Sequence, residues 1–167
     1  MILKIDFETK RFPCYYNALG ISIIKESLKA SDEEYYKKLY FYKEKSNKAT
    51  KNFSYSIFIK DYTIENTEFI VNDRVTMYLS TPDLEFGLKI YNGFVKKKQY
   101  KYKEYELKKI RVDLVKEKKI TKEQVIFKTL SPICVKNKEG KFLDIDDNEY
   151  LKELNYVTNM ILNNYRG

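Results

Sequence analysis

Apolar residues change period repeatedly between Met1 and Lys119, and the order of those periods restricts the fold more than any other feature. A strand alternates its side chains every two residues; a helix repeats every 3.6. Leu3, Ile5 and Phe7 alternate and predict a strand over Met1–Glu8. Lys10–Tyr16, with Pro13, reads as a connection. Leu19, Ile23, Ile24 and Leu28 then fall on one helical stripe, with Asn17 as its cap and an end near Ala30. Ser31 with Glu34 three residues on has the form of a capping box. It predicts a short second helix whose apolar side is Tyr35, Tyr36, Leu39, Tyr40 and Phe41. Polar Lys43–Lys51 reads as a loop, and the alternation of Phe53, Tyr55, Ile57 and Ile59 as a strand over Asn52–Lys60. Thr67–Val71 and Val75–Ser80 flank Asn72-Asp73 and predict a hairpin turning there. Thr81-Pro82-Asp83 predicts a helix start with Pro82 at the first helical position. That helix carries Leu84, Leu88, Tyr91 and Val95 and closes in Lys96–Lys98, where cations suit its dipole. Tyr100–Val115 is strand-like with two slips of phase, which predicts a bulge. The order is β-α-β-β-α-β, a ferredoxin-like α+β arrangement. A plain α+β sheet with another strand order fits the same pattern.

Beyond Lys119 the elements are fewer. Val125–Val135 reads as a strand interrupted at Ser131-Pro132, Asn137–Gly140 as a turn and Lys141–Leu143 as a return. A final helix follows, capped by Asp146 with Glu149 three residues later, its apolar face made by Tyr150, Leu151, Leu154, Val157, Ile161 and Tyr165. The expected organisation is a ferredoxin-like domain over 1–119 and an incomplete second ferredoxin-like half over 120–167. A sheet left unfinished there would pack on the first domain or receive a partner's strand.

Charge narrows the partners. The 32 basic residues exceed the 24 acidic ones, a formal +8, compatible with nucleic acid or an acidic protein. Most of the excess lies in Lys96–Lys119. Lys96, Lys97, Lys98, Lys101, Lys103, Lys108, Lys109 and Arg111 are the candidate RNA- or partner-binding residues there. Tyr100, Tyr102 and Tyr105 are interleaved, and phosphate contacts plus aromatic platforms hold single-stranded RNA. Strand period also permits the plainer arrangement, tyrosines against the helices and lysines toward water. Cys14 and Cys134 stand in apolar surroundings, without a CxxC pair or a histidine, and read as buried free thiols in a reducing cytoplasm. Asp144, Asp146, Asp147 and Glu149 are explained by helix capping better than by metal ligation. No segment has the length of a membrane span or the form of a secretory signal, and neither a cofactor nor a small-molecule ligand is expected.

Val125–Lys136, VIFKTLSPICVK, resembles a segment of the CRISPR repeat-processing endoribonucleases, the Cas-six family of the RAMP superfamily. LKIDFE resembles that family's opening strand, and YNALGISIIKESLKASDEE its first helix. KNFSYSIF resembles the segment returning from the active-site loop. The resemblance implies two ferredoxin-like domains and metal-independent cleavage of RNA by attack of a ribose 2′-hydroxyl on the next phosphate. That reaction needs a base, an acid and a cation on the phosphate. Many members place a histidine after the first helix; Tyr40 stands at its counterpart here, and the sequence has no histidine. Lys51 matches a family lysine position, and Tyr40 and Lys51 are the weak catalytic candidates. A glycine-rich RNA-contacting loop of the family has no counterpart among the five scattered glycines. These departures lead to the expectation of a catalytically inactive mimic that competes for the nuclease's place on a CRISPR effector complex or its guide RNA, an anti-CRISPR inhibitor. A CRISPR RNA endoribonuclease, as a monomer or as a homodimer, and a sequence-tolerant RNA-binding module are the alternatives.

Overall fold

The computed structural model describes residues 1–42, 45–46, 51–117, 120–121, 123–126 and 133–166. They form two compact units, Met1–Glu117 and Lys118–Gly167.

In the first unit, strand β1 (Ile2–Glu8) leads through the short β2 (Arg11–Pro13) to helix α1 (Asn17–Ser31) and helix α2 (Glu33–Tyr40). A small ladder joins β3 (Phe41–Tyr42) to β4 (Lys45–Ser46). Then come β5 (Ser54–Glu65), β6 (Glu68–Ser80), helix α3 (Leu84–Lys96), β7 (Gln99–Tyr102) and β8 (Tyr105–Val115). β1 lies between β6 and β8, antiparallel to both, β5 flanks β6, and β7 flanks β8. This is the ferredoxin-like sheet, with β2 added beside β6. Leu3, Ile5 and Phe7 point to one face with Val75, Met77, Leu79 and Leu107. There they meet Leu19, Ile23, Ile24 and Leu28 of α1 and Phe86, Ile90 and Phe94 of α3. All are nearly devoid of solvent contact, so alternation and helical stripe converge on one core.

Local chemistry moved several predicted boundaries. Tyr16, not Asn17, occupies the α1 cap position, and its side chain makes no capping bond. Asp32, not Ser31, caps α2: its carboxylate accepts from the Tyr35 N–H at 2.8 Å. The turn predicted at Asn72-Asp73 lies instead at Asn66, which takes a left-handed φ of 54°. β6 runs unbroken through Asn72 and Asp73, opposite a bulge at Asp61 with φ 57°. Asn72 donates to the Asp61 carboxylate, and Lys60 and Arg74 neutralise Asp73, so two turn-forming residues are absorbed into a ladder. Pro82 precedes the α3 cap rather than opening the helix; Asp83 accepts from the Phe86 N–H at 3.0 Å. The buried α3 face is Phe86, Gly87, Ile90, Gly93 and Phe94, while Leu84, Leu88 and Val95 are exposed. The single strand expected over Tyr100–Val115 is a hairpin turning at Lys103, φ 53°. One phase slip is that turn; the other is a register shift opposite Asp6/Phe7.

In the second unit, β9 (Val135–Lys136) and β10 (Phe142–Leu143) pair across a turn at Gly140, and α4 (Tyr150–Arg166) contacts β9. Val135 and Tyr150 are buried; Leu151, Val157 and Ile161 are exposed. The turn before α4 is held by the Asp144 N–H on the Asp147 carboxylate. The strand predicted from Val125 is not formed at Val125 and Ile126, and residues 127–132, with Thr129-Leu130-Ser131-Pro132, lie outside the described residues. So does most of the predicted loop at Lys43–Lys51. Both cysteines are free, as expected, but Cys134 is exposed and Cys14 only half-buried: neither is the buried thiol predicted from its apolar neighbours.

Candidate functional site

Tyr40 is the last residue of α2 and turns its ring back over α1. Packing against Tyr36, ring centroids 5.3 Å apart, holds it there. Lys25 of α1 places Nζ 4.9 Å from the Tyr40 ring centroid, and Lys51 places its own at 5.6 Å. The two residues singled out in the sequence are therefore neighbours, and the fold adds a third, Lys25. No local pattern marks Lys25, because it reaches Tyr40 only when α2 folds back on α1. The Tyr40 hydroxyl is buried and has no hydrogen-bond partner among the described residues. Burial, reinforced by Tyr36, pushes its pKa up to about 12. Burial first, and then the nearby Lys25 ammonium, lowers the pKa of Lys51. Chemically, this is a neutral phenol beside two amines, one of which releases its proton more readily than an ordinary lysine.

The basic residues of 96–111 do not form one surface. Tyr100 is buried under α1, sharing a 2.8 Å hydrogen bond with the Ser27 hydroxyl, and Tyr105 is buried with its hydroxyl on Glu68. Two of the three interleaved tyrosines are thus unavailable to stack bases. Lys96 approaches the Ser31 carbonyl, and Lys97 pairs with Glu26. Lys98 lends its carbonyl to the Lys109 N–H, and Lys109 Nζ caps the carbonyls of Phe94 and Val95 at the end of α3. Lys103 lies over the ring of Tyr102 at the hairpin turn. Lys101 and Lys108 pair with Glu106 and Glu8 across the opposite face, where Arg111 holds Asp6 at 2.8 Å. A cleft of about 690 Å³ between the β1–β2 turn and the β7–β8 hairpin is lined by Lys10, Arg11, Lys101 and Lys108 but also by Glu8, Glu104 and Glu106. Its charges are nearly balanced, so it attracts an anion only weakly. Among the described residues no group of three acids, thiols or imidazoles is placed to hold a metal. No described helix is long and apolar enough to cross a membrane.

Three solved structures share this fold. One, described as an RAMP protein binding different RNA substrates, superposes with a TM-score of 0.74 at 22% identity, covering 96% of this chain and 70% of that one. A Cas6-related protein from Pyrococcus furiosus gives 0.74 at 23% identity, over 100% of this chain and 71% of that one. A CRISPR associated protein Cas6 gives 0.67 at 19% identity, over 100% and 72%. At such identities the likeness is one of fold, the ferredoxin-like α+β arrangement. Residues 115–167 match the family model described as CRISPR associated protein Cas6, C-terminal. The partial sequence match and the fold likeness are both similarities to Cas6 and RAMP proteins. No curated protein matches the sequence.

Proposed function

We propose that this Cas6-like chain binds CRISPR RNA without cutting it and so occupies the place of an active Cas6 nuclease, on the RNA or on its effector complex, as an inhibitor of that system. RNA is the partner because a protein of the same fold is described as binding RNA substrates and because this chain carries a formal +8. The observation that carries the absence of cutting is the buried Tyr40 hydroxyl. With its pKa at about 12 it stays a neutral phenol at pH 7, and the sequence offers no histidine in its place. A neutral phenol does not take the proton of a ribose 2′-hydroxyl.

The test is incubation with end-labelled repeat RNA in EDTA, followed by competition with an active Cas6 nuclease. The expected result is a shifted but intact RNA and a nuclease slowed in proportion to added protein. Site-specific cleavage, or no effect on the nuclease, overturns the proposal.

One observation favours a second reading, a metal-independent endoribonuclease. Lys51, with its pKa lowered beside Lys25, has the character of an amine base, and Lys25 would hold the phosphate. On that reading repeat RNA is cut at one position, and both Lys51→Ala and Lys25→Ala abolish the cut.

A further inference from the structure

The sheet face turned away from α1 and α3 carries two large aromatic side chains on its surface. Alternation along each strand puts Lys4 and Asp6 of β1, Arg74, Thr76 and Tyr78 of β6, Arg111 of β8, and Ser56, Phe58 and Lys60 of β5 on that face, opposite the buried Leu3, Ile5, Val75 and Met77. Tyr78 is 38% exposed and Phe58 59%. Ser56 pairs with Tyr78 and Phe58 with Thr76, so the two rings are diagonal neighbours, roughly 7 Å apart at the backbone. The pair spans β6 and the edge strand β5, and adjoining exposed aromatics on one face mark a surface for binding.

The charges around the pair have one arrangement. Asp6 is buried, with a side chain 1% exposed, and is covered by Arg111 at 2.8 Å, Lys4 at 3.7 Å and Arg74 at 3.8 Å. Thr76 donates to its other oxygen at 2.6 Å. One submerged carboxylate therefore fixes three cations whose outer faces remain toward solvent. Asp73 also pairs with Arg74 at 3.2 Å, and Asp113, directly opposite Lys4 on the neighbouring strand, with Arg111 at 3.2 Å, while Lys60 adds a further cation on β5.

We propose that this face is a single-stranded RNA platform, on which Tyr78 and Phe58 stack successive bases while Lys4, Arg74 and Arg111 hold the backbone phosphates. It rests on the RNA-binding reading above and names where the strand lies. The chemistry is that of sheet-borne aromatics flanked by basic side chains, the means by which sheets of this topology take unpaired bases. The site is separate from Tyr40, Lys25 and Lys51, which lie on the helical side.

Anisotropy of a fluorescein-labelled single-stranded repeat RNA, titrated with the full chain, tests it. Tyr78→Ala and Phe58→Ala should each weaken binding about 5- to 100-fold, and Tyr78→Phe should bind as the wild type does, since stacking needs the ring and not the hydroxyl. Both positions are exposed, so thermal melts should match the wild type and exclude misfolding. Photocrosslinking with 4-thiouridine should attach RNA to the peptides holding Tyr78 or Phe58. Wild-type binding that both alanine variants leave unchanged overturns the platform while the RNA-binding reading stands. A wild-type chain that binds no RNA overturns that reading itself, and the platform with it. Tight binding of a protein partner lost on Tyr78→Ala, with RNA binding unaffected, assigns the face to a protein and overturns the proposal.

Discussion

Two side chains with opposite burial problems show what single residues do here. Tyr40 carries a buried hydroxyl without a partner among the described residues, a polar group that gains nothing where it sits. Tyr40→Phe should therefore leave stability unchanged or raise it by up to about 1 kcal/mol, read from urea unfolding. A loss of more than that would show that the hydroxyl is bonded. Asp6 is the reverse case, a buried carboxylate fully engaged. Burial alone would raise its pKa, but the Thr76 hydroxyl, the Arg111 guanidinium and Lys4 outweigh it and hold the value below the ordinary 3.8. A folded-state pKa below the unfolded one stabilises the fold above the unfolded value, and that stability disappears as pH falls through the folded value. Wild-type melting temperature should thus drop through the acid range below 3.8, and Asp6→Asn should flatten that part of the curve. Neither role could be read from the sequence. Asp6 is one acid in an alternating strand, and its three cations come from positions 4, 74 and 111, brought together only by strand pairing.

At the scale of elements, α1 and α3 cross with backbone against backbone at Ser27 and Gly93. A Cβ added at Gly93 would lie 1.9 Å from the Ser27 carbonyl oxygen, so only glycine allows the two helices to cross so tightly. At Gly20 a Cβ would meet the Tyr55 ring at 2.5 Å, but that ring is the end of a side chain able to turn. Gly93→Ala should cost about 3 kcal/mol, at the upper end for an overpacked core, because backbone must move. Gly20→Ala should cost about 1 kcal/mol, mainly through loss of the Tyr55 hydrogen bond to the Asn17 carbonyl. Urea denaturation of both variants decides the ranking, and equal losses would refute it. Elements were the most legible level of the sequence. β1, α1 and the first part of β5 follow from apolar period, because each buries one regular face, whereas the hairpin was placed within what is the single strand β6. Turn chemistry was less legible: Asn72-Asp73 has turn composition, yet lies in a strand whose bulged partner satisfies both side chains.

For the whole molecule, the formal charge of +8 is the property most exposed to experiment. If the chain holds single-stranded RNA mainly through phosphates, log K should fall linearly with log salt, by about 0.7 per phosphate contacted. A slope of about two is expected of a site with Lys4, Arg74 and Arg111, and a flat response would mean that phosphates are not what is bound. The sequence by itself determined the strand and helix order of the first unit, its basic balance and the resemblance to Cas6-like proteins, because these depend on local period, composition and motif. The tertiary structure alone decided which side chains meet. It put Lys25 beside Tyr40 and Lys51, turned Tyr100 and Tyr105 inward, and left Tyr78 and Phe58 in the open. The reason is physical: a period states which residues share a face, but only packing states which face is covered and which residues, far apart in the chain, come within reach of one another.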